Sequence, residues 1–214
     1  MELQWFTWES KREDRKMKLN WAERLVVNNP GRAFEQGFEI RWMKRAMHLQ
    51  EGLTILEVGC GRGAGAGLIL KEFRPAVLHA MDLDFAMIRK AHRYLSPEQK
   101  ERISLYAADA LHLPYKDSTL DAVFGFGVLH HVPDWQSALS EISRVLKPGG
   151  VYFVEELYPT LYQNFITRHI LLHPSENRFD SRDLKEALGA SHFSIHDTLE
   201  VKMVGILGVC IKTH

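Results

Sequence analysis

The sequence predicts an α/β fold: a doubly wound, mainly parallel seven-stranded sheet with an antiparallel last strand, preceded by a helical N-terminal extension. Three observations point there. Short apolar runs alternate with amphipathic stretches from Thr54 onward, the rhythm of strands separated by helices. A glycine-rich segment, ILEVGCGRGAGAG (Ile55–Gly67), grows directly out of the first apolar run. Two more runs lie close together near the C-terminus with no helix between them, as an antiparallel edge pair would.

The elements can be justified in chain order. The first fifty residues are polar, rich in Arg, Lys and Trp, and read as helices, with NNPGR (Asn28–Arg32) as a turn. Phe34, Phe38, Trp42, Ala46 and Leu49 recur at helical spacing, which predicts an amphipathic helix packed through Phe38 and Trp42. TILEV (Thr54–Val58) is a buried-type strand and LILKEF (Leu68–Phe73) the helix after it. AVLHAM (Ala76–Met81) is the second strand. DFAMIRKAHRYL (Asp84–Leu95) is the second helix, capped by Asp84, with Phe85, Ile88, Ala91 and Leu95 on one face. ISLYAAD (Ile103–Asp109) and DAVFGFG (Asp121–Gly127) are the third and fourth strands. Asp134 caps a helix whose apolar side carries Trp135, Ala138, Leu139, Ile142, Val145 and Leu146, and Pro148 stops it. VYFVEE (Val151–Glu156) is the fifth strand. A helix over Thr160–His173, a short one over Ser181–Gly189, and strands from Phe193 and Val204 complete the chain. The division expected is residues 1–49 as a helical extension, a candidate lid, and 50–214 as the ligand-binding domain.

Bulk properties exclude some functions. Lys+Arg and Asp+Glu number 27 each, so no net positive field draws the 214-residue chain to nucleic acid or anionic lipid. Cys60 and Cys210 are the only cysteines, which leaves no disulfide framework, and the histidines lack metal-ligand spacing. The N-terminus lacks a basic-then-apolar leader pattern, and the longest apolar run, VGILGVCI, is too short for a transmembrane segment. A cytoplasmic setting is expected.

In a doubly wound sheet, ligands bind at the carboxyl ends of the strands, and the first strand-to-helix turn lies there. Glycines in that turn let the backbone approach a ligand closely. Gly59, Gly61 and Ala64 fit the dinucleotide pattern G-x-G-x-x-G/A, and Asp82 stands where a ribose-binding acid belongs. Glu57 argues against a pyrophosphate, because a carboxylate opposes it, and suits a cofactor that carries a cation. Asp109, at the end of the third strand, is placed to accept from an adenine amino group.

The series LEVGCGRG, MDLD, AADALHLPY, LDAVFGFGVLHHV and EISRVLKPGG resembles, in order and spacing, the motifs of class I S-adenosylmethionine-dependent methyltransferases, over about residues 50–157. The resemblance implies a Rossmann-like methyltransferase fold with S-adenosylmethionine as cofactor and S-adenosylhomocysteine as product. Carried over residue by residue, it puts Gly59, Cys60, Gly61 and Gly63 along the methionine half of the cofactor, and Glu57 near its ammonium. It puts Asp82 on the ribose hydroxyls, Leu83 and Met87 against the adenine, Asp109 and the Ala110 amide at the adenine edge, and the Phe126 backbone beside the methionine moiety. Bland alternatives stand beside these: Glu57 and Asp109 as turn formers, Cys60 as a small filler, Met87 as core. Gly65 and Gly67 read as close packing of the next helix on the sheet.

The implied chemistry is in-line displacement at a sulfonium methyl, to an O, N or C nucleophile, which needs alignment first and a base only for a protonated acceptor. Candidate bases are His130, His131, Glu155, Glu156 and His173; strand alternation sends the two glutamates to opposite faces. The loop after the fourth strand, GFGVLHHVPD, lacks the Asn/Asp-Pro-Pro-aromatic pattern of nucleic-acid base methylation, so the expected acceptor is a small molecule. The N-terminal aromatics Trp5, Phe6, Trp8, Trp21, Phe34, Phe38 and Trp42 suit a lid, with Phe38 and Trp42 better read as packing on the sheet, and Trp5, Phe6 and Trp8 suit equally a homo-oligomer contact or a membrane-surface contact. Two rival readings share parts of this pattern: a non-catalytic S-adenosylmethionine-binding sensor or partner subunit, and an NAD-dependent oxidoreductase.

Overall fold

The computed structural model describes residues 30–162 and 178–214. The expected N-terminal tryptophans, most of the helix expected over 160–173, and His173 lie outside the described residues. In chain order the elements are α1 (Pro30–Ala46), β1 (Thr54–Val58), α2 (Ala64–Phe73), β2 (Val77–Asp82), α3 (Phe85–Tyr94), α4 (Pro97–Arg102), β3 (Ile103–Ala107), β4 (Leu120–Phe126), a 3₁₀ turn (Leu129–His131), α5 (Trp135–Val145), β5 (Leu146–Leu157), α6 (Pro159–Tyr162), α7 (Ser181–Ala190), β6 (Phe193–Val201) and β7 (Gly205–Lys212).

The sheet has seven strands in the order β3-β2-β1-β4-β5-β7-β6. Strand order reverses between β1 and β4, which both run parallel to their neighbours, so the carboxyl ends of β1 and β4 flank the crevice where ligands bind in such sheets. β7 is antiparallel to β5 and to β6 and lies between them. The C-terminal pair ends the sheet in antiparallel pairing, as expected. The last strand inserts, and β6 is the edge.

Strand alternation divides the core in two. On one face Leu56, Val58, Val123, Tyr152 and Val154 pack beneath Trp135, Ala138, Leu139 and Ile142 of α5 and Leu184 and Leu188 of α7. On the other, Ile55, Phe124, Phe153 and Val209 pack beneath Ile40 and Met43 of α1 and Ile69, Leu70 and Phe73 of α2. Phe73, Phe124 and Phe153 are in ring contact there, with the Phe124–Phe153 centroids 4.4 Å apart.

Three local readings need correction. The turn expected at Asn28–Arg32 gives way to helix at Pro30, which suits a helix start because its missing N–H is not needed there. α1 is turned away from its expected face: Phe34 and Phe38 are 78% and 55% exposed, while Ile40 and Met43 are buried and Trp42 is half-buried. α4 was not anticipated, although SPEQ spells a helix start: the Ser96 hydroxyl accepts from Gln99 N and the Gln99 side chain accepts from Ser96 N. After α5 the chain turns at Gly149, as expected, with φ of 78°, and the register skips there from the pair Leu120–Leu146 to the pair Ala122–Val151. Asp84 and Asp134 do cap α3 and α5, accepting from Ala86 N and Ser137 N.

Candidate cofactor and methyl-acceptor site

The turn from β1 to α2 is built from positive-φ glycines: Gly59, Gly61 and Gly63 have φ of 71°, 53° and 85°. That backbone region excludes most side chains. The Cys60 amide donates to the Met81 carbonyl at 2.8 Å, and Gly63 N donates to Cys60 O at 2.8 Å, so the loop is tied to β2 and to itself. A Cβ on Gly59 would stand 2.6 Å from Val128 Cγ2, which seats the β4–α5 loop directly on the glycine loop. Cys60 is buried, and burial, then Glu57 and Asp82, push its thiol well above the usual range, as for a small filler rather than a nucleophile.

Glu57 points to the α2 face and is 1% exposed. A Cβ on Gly65 would stand 2.0 Å from Glu57 Oε1, so the absence of a side chain at Gly65 makes room for this carboxyl group. Gly67 instead makes room for Leu95 and Gln99, beyond the α3 C-terminus. Both glycines thus serve side chains, whereas packing of the helix backbone on the sheet was the expectation. Glu57 receives a hydrogen bond from the Ala66 backbone, but Oε2 is buried with no hydrogen-bond partner. Burial, then the negative charge of Asp82, raises its pKa from 4.5 to about 8.

Asp82 ends β2. Its Oδ2 accepts from Gly61 N at 3.0 Å and its Oδ1 from Asp84 N at 2.8 Å. It therefore braces the glycine loop, while capping of α3 falls to Asp84. Leu83 is half-buried beside it, and Met87 is fully buried. Asp109 follows β3, and its Oδ1 accepts from Leu111 N at 2.9 Å, a local turn bond that joins Ala110, itself buried, to the same corner. Arg144 of α5 holds that corner's continuation: it donates to the carbonyls of Leu113 and Tyr115 and to Asp117 and Glu141, while Glu141 accepts from Leu113 N. The EISRV motif is therefore a clamp on the loop after Asp109.

β4 ends at Phe126, which is 8% exposed and pairs with Glu155 of β5. Of the two glutamates, Glu155 lies on the α1 and α2 face, with Val151 and Phe153, and is 4% exposed. Glu156 lies on the α5 face and is fully buried. Its Oε1 accepts from Val128 N at 3.0 Å and Leu129 N at 2.7 Å, and its Oε2 from His130 N at 3.3 Å and His130 Nδ1 at 2.7 Å. The His131 ring lies 4.2 Å from that of His130, centroid to centroid. Alternation could find the glutamates' faces; nothing in the sequence named Val128 or the four donors to Glu156. A cavity of about 750 Å3 lies where Tyr158, Lys185, Glu200 and Met203 come together. Among the described residues there is no metal-type cluster of three acidic, His or Cys side chains, and no helix is long and apolar enough to cross a membrane.

A glycine loop after β1, with Glu57 in β1, Asp82 at the end of β2 and Asp109 just after β3, on a sheet of this strand order, defines a doubly wound α/β protein with a candidate ligand crevice at the carboxyl ends of its strands. Residues 56–154 match the methyltransferase domain family. A probable S-adenosylmethionine-dependent methyltransferase of Mycolicibacterium smegmatis is 32% identical over 160 residues, 74% of this chain and 58% of that protein. The demethylmenaquinone methyltransferase of Lactiplantibacillus plantarum is 37% identical over 120 residues, 53% of this chain and 50% of that one. The sterol 24-C-methyltransferase of Aspergillus fumigatus is 34% identical over 130 residues, 60% of this chain and 34% of that one. The chain thus spans no more than 58% of the length of these relatives. Among solved structures, an S-adenosylmethionine-dependent methyltransferase from Aquifex aeolicus matches with TM-score 0.72 at 17% identity, covering 92% of this chain and 100% of that one. A putative methyltransferase solved with the Haloferax volcanii Trm112 methyltransferase activator matches with TM-score 0.75 at 17% identity, covering 91% and 95%. The chain carries a class I S-adenosylmethionine-dependent methyltransferase domain.

Proposed function

We propose that the protein binds S-adenosylmethionine at the glycine loop and transfers its methyl group to a small-molecule nucleophile, releasing S-adenosylhomocysteine. The observation that carries this reading is Glu57: a buried carboxyl oxygen with no donor, at a loop of positive-φ glycines. A pyrophosphate would add only acceptors there, whereas an ammonium supplies the missing N–H donors. That also separates the reading from an NAD-dependent oxidoreductase.

In this reading the backbone of Gly59, Cys60, Gly61 and Gly63 lies along the methionine moiety with Glu57 at its ammonium. Asp82, held by Gly61 N and Asp84 N, accepts from the ribose hydroxyls with its remaining lone pairs. Leu83, Asp109 and the Ala110 amide form the adenine corner, which the Arg144 clamp steadies. Phe126 and the loop it leads into border the reacting end. The bound cofactor supplies a methyl already activated as a sulfonium, so the protein's part is to align the acceptor. His131 and Glu155 remain the candidate groups on the acceptor side, whereas Glu156 has both carboxyl oxygens taken by the loop after β4; the 750 Å3 cavity past the end of β5 is of a size that suits a small organic molecule. The relatives' acceptors by name, a sterol and a demethylmenaquinone, favour such a molecule over nucleic acid. The two buried free cysteines fit a reducing, cytoplasmic setting. Residues 1–49 are the proposed lid, although α1 also packs Ile40 and Met43 into the core beside α2.

Calorimetric titration tests the cofactor and a labelled-cofactor screen of metabolites tests the transfer. Asp82→Ala is expected to weaken S-adenosylmethionine binding about tenfold to a hundredfold, the scale of a hydrogen bond to a carboxylate. NAD binding without any S-adenosylmethionine binding overturns the reading. Tight cofactor binding with no acceptor labelled points instead to a sensor or partner subunit.

A further inference from the structure

We propose that Glu156 is a positioning residue that locks the β4–α5 loop onto the glycine loop and holds His130 in a single tautomer. Its carboxylate reaches out of β5 into the turn of a different strand and takes four donors: three consecutive backbone amides, Val128, Leu129 and His130, and the His130 ring. Consecutive N–H groups that converge on one oxygen pair fix the backbone of that segment as a unit. Gly127 N donates to the Glu155 carbonyl at 2.8 Å and continues the same attachment to β5. The segment so fixed includes Val128, whose side chain sits where a Cβ of Gly59 would be. Glu156 on β5, Val128 on the loop and Gly59 under the cofactor therefore form one packed chain from the acceptor-side strand to the cofactor loop.

The ring contact adds a chemical constraint. A carboxylate can only accept, so the His130 proton stands on Nδ1 and the basic atom of the neutral ring is Nε2. His130 and Glu156 side chains are 5% and 0% exposed, so water does not compete for this bond. The role rests on the glycine loop being the cofactor cradle, but the hydrogen-bond chain itself does not.

The test uses full-length wild type, Glu156→Gln and Val128→Ala. In Glu156→Gln one amide oxygen can still accept from the loop, but the NH2 group faces His130 N–H and the Nδ1 proton. We expect the 15N signals of His130 to switch to the Nε2–H tautomer and hydrogen exchange at Val128–His130 to quicken by tenfold or more, with β1 amides unchanged. S-adenosylhomocysteine binding is expected to weaken about tenfold. Val128→Ala keeps the Glu156 bonds, so its amides stay protected, yet its S-adenosylhomocysteine affinity falls several-fold because the contact with Gly59 is gone. An unaltered His130 tautomer and unaltered exchange in Glu156→Gln overturn the proposal, whatever the cofactor does. Wild-type affinity in Val128→Ala overturns the link to the glycine loop. If wild type binds no S-adenosylhomocysteine but shows the tautomer switch, the positioning role stands and the cofactor reading fails.

Discussion

Glu57 and Glu156 are both buried carboxyl groups on strands that end at the same edge of the sheet, at 1% and 0% exposure. Their surroundings are opposite. Glu156 has a full set of donors from one loop. Glu57 has an oxygen with none, a neighbouring acid, and a pKa raised to about 8. A saturated acid inside a protein holds structure; an unsaturated one costs stability unless a ligand completes it. The same residue type therefore marks the scaffold in one place and the binding group in the other.

If that contrast is right, removing Glu156 has the largest effect on the fold. Glu156→Ala leaves three amides and a ring nitrogen buried without their acceptor, and is expected to cost about 3–5 kcal/mol in urea unfolding, as when one partner of a buried hydrogen-bonded pair is deleted. Glu57→Gln is expected to do the reverse. It keeps the shape and leaves the unliganded protein as stable as wild type near neutral pH, yet weakens S-adenosylmethionine binding about tenfold to a hundredfold in calorimetry. A Glu57→Gln protein that unfolds readily, or one that binds as wild type, collapses the distinction.

The pH dependence sharpens it further. The folded-state pKa of Glu57 is raised from 4.5 to about 8, so between those values the unliganded fold keeps a proton that the unfolded chain has released. Its contribution to stability is full below 4.5 and is lost as pH rises toward 8. Binding of a cation favours the carboxylate and so expels that proton. S-adenosylmethionine affinity is expected to increase with pH up to about 8, by at most about tenfold per unit for one proton. Calorimetry in buffers of different ionisation enthalpy reads the proton release, and Glu57→Gln flattens the curve.

Much of this was legible in the sequence, and what was not follows a pattern. The strands from β1 to β5, the caps Asp84 and Asp134, and the glycine loop depend on local spacing, which a sequence displays. α4 carried its capping signal in SPEQ but is too short to show periodicity. The buried face of α1 does not follow residue size: Phe34 and Phe38, its largest apolar residues with Trp42, are exposed, while Ile40 and Met43 make the contact. The insertion of β7 between β5 and β6 and the convergence of Val128, Leu129 and His130 on Glu156 are pairings between segments distant in sequence. Alternation gives the face of such a residue but not its partner.

The smallest expected effect separates two glycines that the sequence shows as equivalents. Gly65 and Gly67 both lie in the first turn of α2, where alanine is the better helix former by about 1 kcal/mol in a helix interior. At Gly65 the added carbon meets Glu57 Oε1 at 2.0 Å, a buried carboxyl group on a rigid strand with little room to move. Gly65→Ala is expected to lose about 1–2 kcal/mol of stability to overpacking, and the loss should shrink when combined with Glu57→Ala, as contacting sites couple. At Gly67 the added carbon meets Gln99 Nε2 at 2.9 Å, the far end of a flexible side chain. Gln99 can swing aside, at the expense of its bond from Ser96 N. The helix gain and that small loss nearly cancel, so Gly67→Ala should unfold within about 0.5 kcal/mol of wild type and bind S-adenosylmethionine equally well. Equal losses at the two positions would mean that Gly65 serves helix packing alone, and that Glu57 has room to move away from it.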